Sequence, residues 1–178
     1  MGLSKLTYEF LGGILHCADD FAAIYIPSVN SYKRIDANVT FSGATWSPNS
    51  ITWSGNNRTH MIRIPDRGRF EIRLMDGAAN PYLMQSAILA AGLDGMANKR
   101  DPGKRLDINM YTESHKVKDV RKLPANLLDA IRLFDKSKVA RTAFGEDFVN
   151  SYVKLKMDEW KRFCRSVTPW ELEHTLDC

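Results

Sequence analysis

The sequence has 178 residues, of which 44% are hydrophobic and 26% are charged, as expected for one domain with a real core. Its formal net charge of +4 is too small and too dispersed to indicate a nucleic-acid-binding protein. The apolar stretch at residues 11–26 is interrupted by His16, Asp19 and Asp20, which argues against a transmembrane helix. We therefore expect neither nucleic acid nor a membrane among the partners of this chain.

Cysteine and histidine do not have the spacing of a metal site. The three cysteines, Cys17, Cys164 and Cys178, are odd in number and indicate a reduced, cytoplasmic protein rather than a disulfide framework. The histidines are also scattered along the chain. Only His60, on a predicted strand just before Arg63, is a candidate for a functional role.

The first third of the chain predicts a helix followed by loops. Ser4 is a suitable N-cap for a helix that ends near Cys17, and a short apolar piece follows at Phe21–Ile26. The next region is rich in Ser, Thr, Asn and Gly, which favours loops with short strands at Thr40–Trp46 and Ile51–Trp53.

Two longer strands are predicted in the middle of the chain. They cover His60–Ile64 and Arg69–Leu74, and the residues between them, Pro65–Gly68, suit a hairpin turn. A helix should then begin at Pro81 and end near Met96, because proline is tolerated in the first turn. Its many alanines suit close packing against a sheet.

The last third of the chain is predicted to be helical. The apolar spacing indicates one amphipathic helix at Leu127–Phe134 and a longer one at Phe148–Phe163. Thr168 is a suitable N-cap for a short terminal helix that begins at Pro169. The predicted fold class is therefore α+β, with a small antiparallel sheet (strands near residues 40–74) followed by a mainly helical C-terminal half.

The densest functional signal lies in the second strand of the hairpin. Arg69, Glu71 and Arg73 alternate with apolar residues, so on a strand they point to the same face. A row of cation, anion and cation suits a polyanionic ligand that carries a divalent metal, such as the phosphates of a nucleotide. The alternative is a solvent-exposed row in which the charges pair with one another for little gain in stability.

Further arginines lie close to this row. Arg58 and Arg63 fall near the same hairpin, and Glu71 alone cannot neutralise so much positive charge, so an anion-binding pocket is favoured over a solvated face. Arg34, in a polar cluster after a proline, is either a bidentate clamp for a carboxylate or part of an exposed loop.

Several motifs, taken in order, resemble the C-terminal part of the glutamine synthetase family. They are Asn30-Ser31-Tyr32-Lys33-Arg34, Asn57-Arg58, Ile62-Arg63-Ile64-Pro65, Arg69-Phe70-Glu71-Ile72-Arg73, Ala79-Asn80-Pro81-Tyr82-Leu83, Ala91-Gly92-Leu93-Asp94-Gly95 and Thr168-Pro169-Trp170-Glu171. The segment Ser42–Trp46 resembles an insertion of the type III branch, which includes γ-glutamylamide ligases. The resemblance implies that residues 1–178 are the C-terminal portion of the catalytic domain, without the N-terminal β-grasp domain and the first part of the catalytic domain.

The resemblance implies that the chain takes ATP together with Mg²⁺ or Mn²⁺. Arg58 and Arg63 would bind the ATP phosphates and the charge that develops on the transferred phosphoryl group. Arg69 would also face the nucleotide. Glu71 would be a ligand of the divalent metal that bridges ATP and the substrate.

The same resemblance implies glutamate and ammonia, or a small amine, as substrates. Glutamate would be activated as γ-glutamyl phosphate, and the amine would then displace phosphate. Arg34 would hold the glutamate carboxylate, and Arg73 would contact the glutamate side chain or the phosphate, so that Arg34, Arg58 and Arg73 are the catalytic candidates. The glutamate that usually follows in the family's flap is missing, so either Asp36 replaces it or the amine site differs.

Two hypotheses follow for the whole chain. The first is an ATP-dependent glutamate–amine ligase of which this chain is an incomplete catalytic region. The second is a catalytically inactive remnant that binds an anion or assembles with a full-length relative. Family members form rings, in which the predicted helix at Trp170–Leu176 would lock neighbouring rings together. For the chain alone we expect weak or no catalysis, because one metal carboxylate cannot hold two divalent ions.

Overall fold

The structure is a computed structural model that describes residues 1–35, 37 and 47–175. The predicted strand at Thr40–Trp46, the Ser42–Trp46 insertion and Asp36 all lie outside the described residues. The helices are α1 (Lys5–His16), α2 (Ala22–Tyr25), α3 (Pro81–Ala97), α4 (Leu127–Lys136), α5 (Lys138–Phe144), α6 (Glu146–Cys164) and α7 (Pro169–His174), with 3-10 helices at Val29–Arg34 and Ser114–Lys116. The strands are β1 (Trp53–Ser54), β2 (Ile62–Asp66) and β3 (Arg69–Ile72).

The α+β class is confirmed, but the sheet is mixed rather than wholly antiparallel. Strand β2 lies in the middle, antiparallel to β3 and parallel to β1, with Trp53 opposite Ile62. The loop between β1 and β2 contains a tight turn, in which the Asn57 backbone N–H donates to the Gly55 carbonyl at 2.7 Å. The residues that face the core from β1 and β2 are buried.

The turn of the β2–β3 hairpin is shorter than predicted. Strand β2 continues through Pro65 to Asp66, so only Arg67 and Gly68 connect the strands. The pairing register shifts by one residue between Arg63 and Asp66, since Pro65 has no N–H group to give to the ladder. Gly68 has a φ of +77°, a left-handed conformation that suits glycine in a tight turn.

Helix α3 packs against α1, not against the sheet as its alanines suggested. A Cβ atom built on Gly13 would lie 2.0 Å from the Ala91 carbonyl oxygen, and one built on Gly95 would lie 2.3 Å from the Glu9 carbonyl oxygen. The two backbones therefore touch directly, and no side chain fits between them. At this crossing only glycine fits, because any Cβ atom would clash with the facing backbone.

The C-terminal helices form a cover over α2 and the first 3-10 helix. Phe134 of α4 is fully buried, and its ring lies 5.4 Å from that of Tyr152 on α6. The Tyr152 hydroxyl donates to the Ala23 carbonyl at 2.8 Å, and Glu159 Oε1 accepts from the Val29 N–H at 3.3 Å. Through these bonds α6 fixes the start of the 3-10 helix that carries Arg34. Among the described residues, no helix has the combination of length and apolar character needed to cross a bilayer.

Candidate anion and metal site

The row of charges predicted for β3 is present and faces away from the core. Leu74 is fully buried, and Phe70 and Ile72 pack against the core from the same face. On the other face Glu71 lies opposite Arg63 of β2 in the strand register. Arg63 Nη1 donates to Glu71 Oε2 at 2.8 Å, and Arg69 Nη1 donates to the other oxygen at 3.3 Å.

The two arginines hold Glu71 unequally. The hydrogen bond from Arg63 is the main cause that keeps the pKa of Glu71 below its usual value, so the carboxylate is ionised at neutral pH. The Arg63 side chain is only 14% exposed, whereas that of Arg69 is 60% exposed and more strongly screened by solvent. Arg63 is therefore the principal partner of this acid.

Asn56 anchors the opposite edge of Arg63 and was not identified from the sequence. Its side-chain oxygen accepts from Arg63 Nε at 2.9 Å and also from Arg63 Nη2. No sequence spacing indicates this contact, because Asn56 lies in the loop between β1 and β2.

An open pocket of about 580 Å³ lies beside this pair. Its wall combines two guanidiniums with amides and a hydroxyl: Asn56, Asn57, Arg58, Thr59, Arg63 and Asn109. The wall therefore contains hydrogen-bond donors and positive charge without a carboxylate among its lining residues. This composition suits an anionic ligand with several oxygen atoms.

The loop that carries Arg58 is held by hydrogen bonds to residues about fifty positions later in the chain. The Asn57 amide donates to the Ile108 carbonyl at 2.8 Å, and its oxygen accepts from the Thr59 N–H at 3.0 Å. The Thr59 hydroxyl in turn accepts from the Met110 N–H at 2.9 Å. The backbone around Arg58 is held by these bonds, while the Arg58 side chain is exposed.

His60 is a structural residue and not part of the pocket. It is fully buried, with Nε2 3.0 Å from the Ile108 carbonyl oxygen and Nδ1 3.0 Å from the Thr52 hydroxyl. Burial lowers its pKa, so the ring is neutral at pH 7. Since a carbonyl only accepts, Nε2 carries the proton and Nδ1 accepts from Thr52.

Arg73 lies behind the pocket, where it donates to the carbonyl of Arg58. Its half-buried guanidinium has a lowered pKa, chiefly through burial and further through the charges of Arg58 and Arg63, whereas Tyr111 acts in the opposite direction. The Tyr111 hydroxyl donates to the Ser47 carbonyl at 3.2 Å. The sequence suggested only a loop tyrosine at this position, since nothing local connects it with Arg73.

Arg34 approaches the same end of β3 from the 3-10 helix. Ser28 caps this helix with a capping box, in which its hydroxyl accepts from the Ser31 N–H. Arg34 Nη2 donates to the Leu74 carbonyl at 3.2 Å, and its buried Nε has no hydrogen-bond partner among the described residues. A buried N–H without a partner is costly, and a bound carboxylate would satisfy it.

Glu71 fits the role of one metal ligand. It is an ionised oxygen donor of the kind that Mg²⁺ and Mn²⁺ prefer. Within residues 1–35, 37 and 47–175 no group of three or more His, Cys, Asp or Glu residues surrounds a common point. Glu71 would therefore be one ligand and not a complete coordination sphere.

A model of the family "Glutamine synthetase, catalytic domain" matches residues 1–175. The chain belongs to the glutamine synthetase family. This confirms the resemblance seen in the motifs. The glutamine synthetase of Rhizobium leguminosarum bv. phaseoli is 56% identical over 176 residues, and the glutamate–methylamine ligase of Methyloversatilis universalis is 41% identical over 180 residues. Both alignments cover 99% of this chain and 40% of the relative.

Solved structures of glutamine synthetase-like enzymes have the same fold. A GmaS–ADP complex superimposes with a TM-score of 0.91 at 54% identity, and GmaS without ligand superimposes with a TM-score of 0.88 at 50% identity. The matches cover 98% of this chain, and 40% and 39% of those chains. The chain thus spans about 40% of the length of the relatives that it matches.

Proposed function

We propose that this chain forms the phosphate-binding side of an ATP-dependent ligase site that joins glutamate to ammonia or a small amine. The observation that carries the proposal is the pairing of Arg63 with Glu71 at the edge of a pocket that Arg58 also lines. Membership of the glutamine synthetase family supports the same function.

The reaction explains why such residues are needed. The γ-carboxylate of glutamate is a poor electrophile, so it is first phosphorylated to γ-glutamyl phosphate, and the amine then displaces phosphate. Phosphoryl transfer depends mainly on positioning and on neutralising negative charge. Arg58 and Arg63 would bind phosphate oxygens of ATP, and Arg69 would add a weaker contact from the exposed side. Mg²⁺ or Mn²⁺, when bound at Glu71, would supply further charge neutralisation.

The glutamate side of the site would be formed by Arg34 and Arg73. The unsatisfied Nε of Arg34 gives it a free donor beside Nη2, in the planar arrangement that suits a carboxylate. Arg73 lies between Arg58 and the end of β3, so it would contact the glutamate side chain or the phosphate formed on it.

The acceptor is proposed only as ammonia or a small alkylamine such as methylamine. Some relatives of this chain are named glutamine synthetase, and another is named glutamate–methylamine ligase. The GmaS structures resemble the chain at 54% and 50% identity. Asp36, the candidate acid of the flap, lies outside the described residues.

We also propose that residues 1–178 act as the C-terminal portion of a larger catalytic domain that assembles in rings. Helix α7 supports an assembly role, because Trp170 and Leu172 are 62% and 52% exposed on a capped helix. A cytoplasmic location is proposed as well, since ATP is the co-substrate. The free thiols of Cys17 and Cys164 agree with a reducing compartment.

The test is phosphate release by the purified chain with ATP, Mg²⁺ or Mn²⁺, glutamate, and either ammonia or methylamine. Release that requires both glutamate and the amine would establish ligase activity, and the better amine would identify the acceptor. We expect weak or no release, because Glu71, as one metal carboxylate beside the pocket, cannot hold two divalent ions. Binding of Mg·ADP, measured by calorimetry, should persist. A chain that neither releases phosphate nor binds Mg·ADP would contradict the proposal.

A further inference from the structure

Asn56 and Arg63 make a two-point contact at the mouth of the pocket. The Asn56 oxygen accepts from both Nε and Nη2 of Arg63, that is, from one whole edge of the guanidinium. A third side-chain hydrogen bond of Arg63, from Nη1 to Glu71, lies on the other side. The guanidinium is thus held from two directions and cannot turn about its Nε–Cζ bond without losing a contact.

The chemistry of the two groups fixes which way the amide faces. A guanidinium has only donors, so the oxygen of Asn56 must face Arg63, and the amide NH₂ group must face away from it. Asn56 lines the pocket together with Arg58 and Asn109. Its NH₂ group therefore adds two neutral N–H donors to a wall that already contains cations.

The contact also determines how many N–H donors of Arg63 are available to a ligand. Arginine has five N–H donors, and Asn56 and Glu71 take three of them. Among the described residues the other two N–H groups have no partner. They lie on a side chain that is already ordered, so a ligand would bind them with little further loss of side-chain entropy. Such pre-organisation is what distinguishes a binding arginine from a mobile surface arginine.

We propose that Asn56 is a positioning residue of the phosphate site. It holds the Nε–Nη2 edge of Arg63 so that the two remaining N–H groups meet a phosphate oxygen, and its own NH₂ group donates to the same phosphate. The second half rests on the proposed function, because it takes the ligand to be a nucleotide phosphate. The anchoring of Arg63 does not depend on that function.

The anchoring is tested by NMR of the arginine Nε–H groups in the full 178-residue chain. The Arg63 signal is assigned from its absence in Arg63→Gln. Asn56→Ala should accelerate exchange of the Arg63 Nε–H with water by about 10-fold, since the lost hydrogen bond to a charged donor is a strong one. Asn56→Asp should keep the exchange slow, because a carboxylate accepts equally well on that edge.

The phosphate contact is tested by titrating the same proteins with Mg·ADP in a calorimeter. Asn56→Ala should weaken binding by about 5- to 20-fold. Asn56→Asp should weaken it by a similar factor even though Arg63 stays anchored, because the NH₂ donors are gone and a negative charge has been added. The matched control is Asn150→Ala, which removes another exposed amide that accepts from an arginine, Arg141, at 3.1 Å. It should leave both readouts unchanged.

The outcomes separate the inference from the proposed function. Exchange and Mg·ADP affinity in Asn56→Ala within about 2-fold of the unsubstituted chain would overturn the inference. Affinity retained in Asn56→Asp would overturn the donor role of the NH₂ group and support anchoring alone. A chain that binds no Mg·ADP, while Asn56→Ala still loosens Arg63, would overturn the proposed function and the phosphate contact but support the anchoring.

Discussion

The pocket beside Arg63 and the crossing of α1 and α3 are held together by opposite means. In the pocket, Glu71 and Asn56 bind Arg63 through side-chain atoms that water or a ligand can reach. At the crossing, the backbones of Gly13 and Gly95 touch the facing helix without any side chain between them. The first contact can exchange partners at low cost, whereas the second has no room for a single extra atom.

From this difference we expect ligand binding and stability to be largely separable in this chain. Hydrogen bonds between exposed charged groups contribute little to folding, but the same groups contribute much to binding when a ligand excludes water. The close packing of α1 against α3 contributes to stability, but it lies away from the pocket and would not contact a ligand. The four predictions below test this separation.

The largest effect is expected at the helix crossing. In Gly13→Ala the new methyl group would meet the Ala91 carbonyl at 2.0 Å, so the helices must move apart, which should cost about 3 kcal/mol of unfolding free energy. Helix propensity by itself would make alanine about 1 kcal/mol more favourable than glycine. A loss of stability would therefore show that the steric clash dominates. Urea denaturation measures the change in stability. Gly77→Ala is the control, because nothing lies within 4 Å of its added methyl. A Gly13→Ala chain as stable as the unsubstituted one would mean that the helices are not in backbone contact.

The next effect is expected at Arg63, and on binding rather than folding. Arg63→Gln removes the principal partner of Glu71 and the arginine that Asn56 binds, and should weaken Mg·ADP binding by about 10- to 100-fold. The unfolding free energy should fall by only about 1–2 kcal/mol: Arg63 is 14% exposed and loses its side-chain bonds, but Glu71 keeps the bond from Arg69. Arg132→Gln, which breaks an exposed pair with Asp129, should alter neither quantity. If Arg63→Gln instead unfolds the chain, the separation of binding from stability is wrong.

A smaller, pH-dependent effect is expected at His60. Burial lowers its pKa in the folded state below the ordinary value of 6.5, so the unfolded state takes up a proton first as the pH falls. The stability that the neutral ring gives is therefore complete above about pH 6.5 and decreases as the pH falls toward the folded-state pKa. Urea denaturation at pH 7.5 and pH 5 should show a larger decrease for the unsubstituted chain than for His60→Gln. Equal decreases would contradict a buried neutral histidine.

The smallest effect is expected at Arg69. Its side chain is 60% exposed and lies 3.3 Å from Glu71, so solvent screens most of the interaction. Arg69→Gln should weaken Mg·ADP binding by only about 2- to 5-fold and leave the unfolding free energy unchanged within error. A loss as large as that of Arg63→Gln would show that both arginines contact the ligand directly.

Local patterns predicted two of the helices and the strand that carries Glu71. The helices beginning after Ser4 and Thr168 were predictable because a capping residue acts within one turn. The row of Arg69 and Glu71 was predictable because strand alternation needs no knowledge of the rest of the chain. The predicted roles of these residues in binding stay predictions.

Contacts between distant parts of the chain account for what the sequence did not reveal. The parallel pairing of β1 depends on a loop conformation, and the packing of α3 depends on glycines of two helices that meet. His60 suggested a functional role because it precedes Arg63, yet its partners Thr52 and Ile108 bury it. No sequence pattern marks Asn56, because its contact with Arg63 forms only when the loop packs against β2.

One carbonyl group, that of Ile108, accepts both from the Asn57 amide and from His60 Nε2. One oxygen atom thus binds both the pocket loop and the buried His60 to a segment about fifty residues downstream, which also bonds to Thr59 through the Met110 N–H. Substitutions near Ile108 that shift this oxygen would displace Arg58 without touching any arginine. The position of Arg58 therefore depends on residues about fifty positions away in the chain, none of which lines the pocket through its charge.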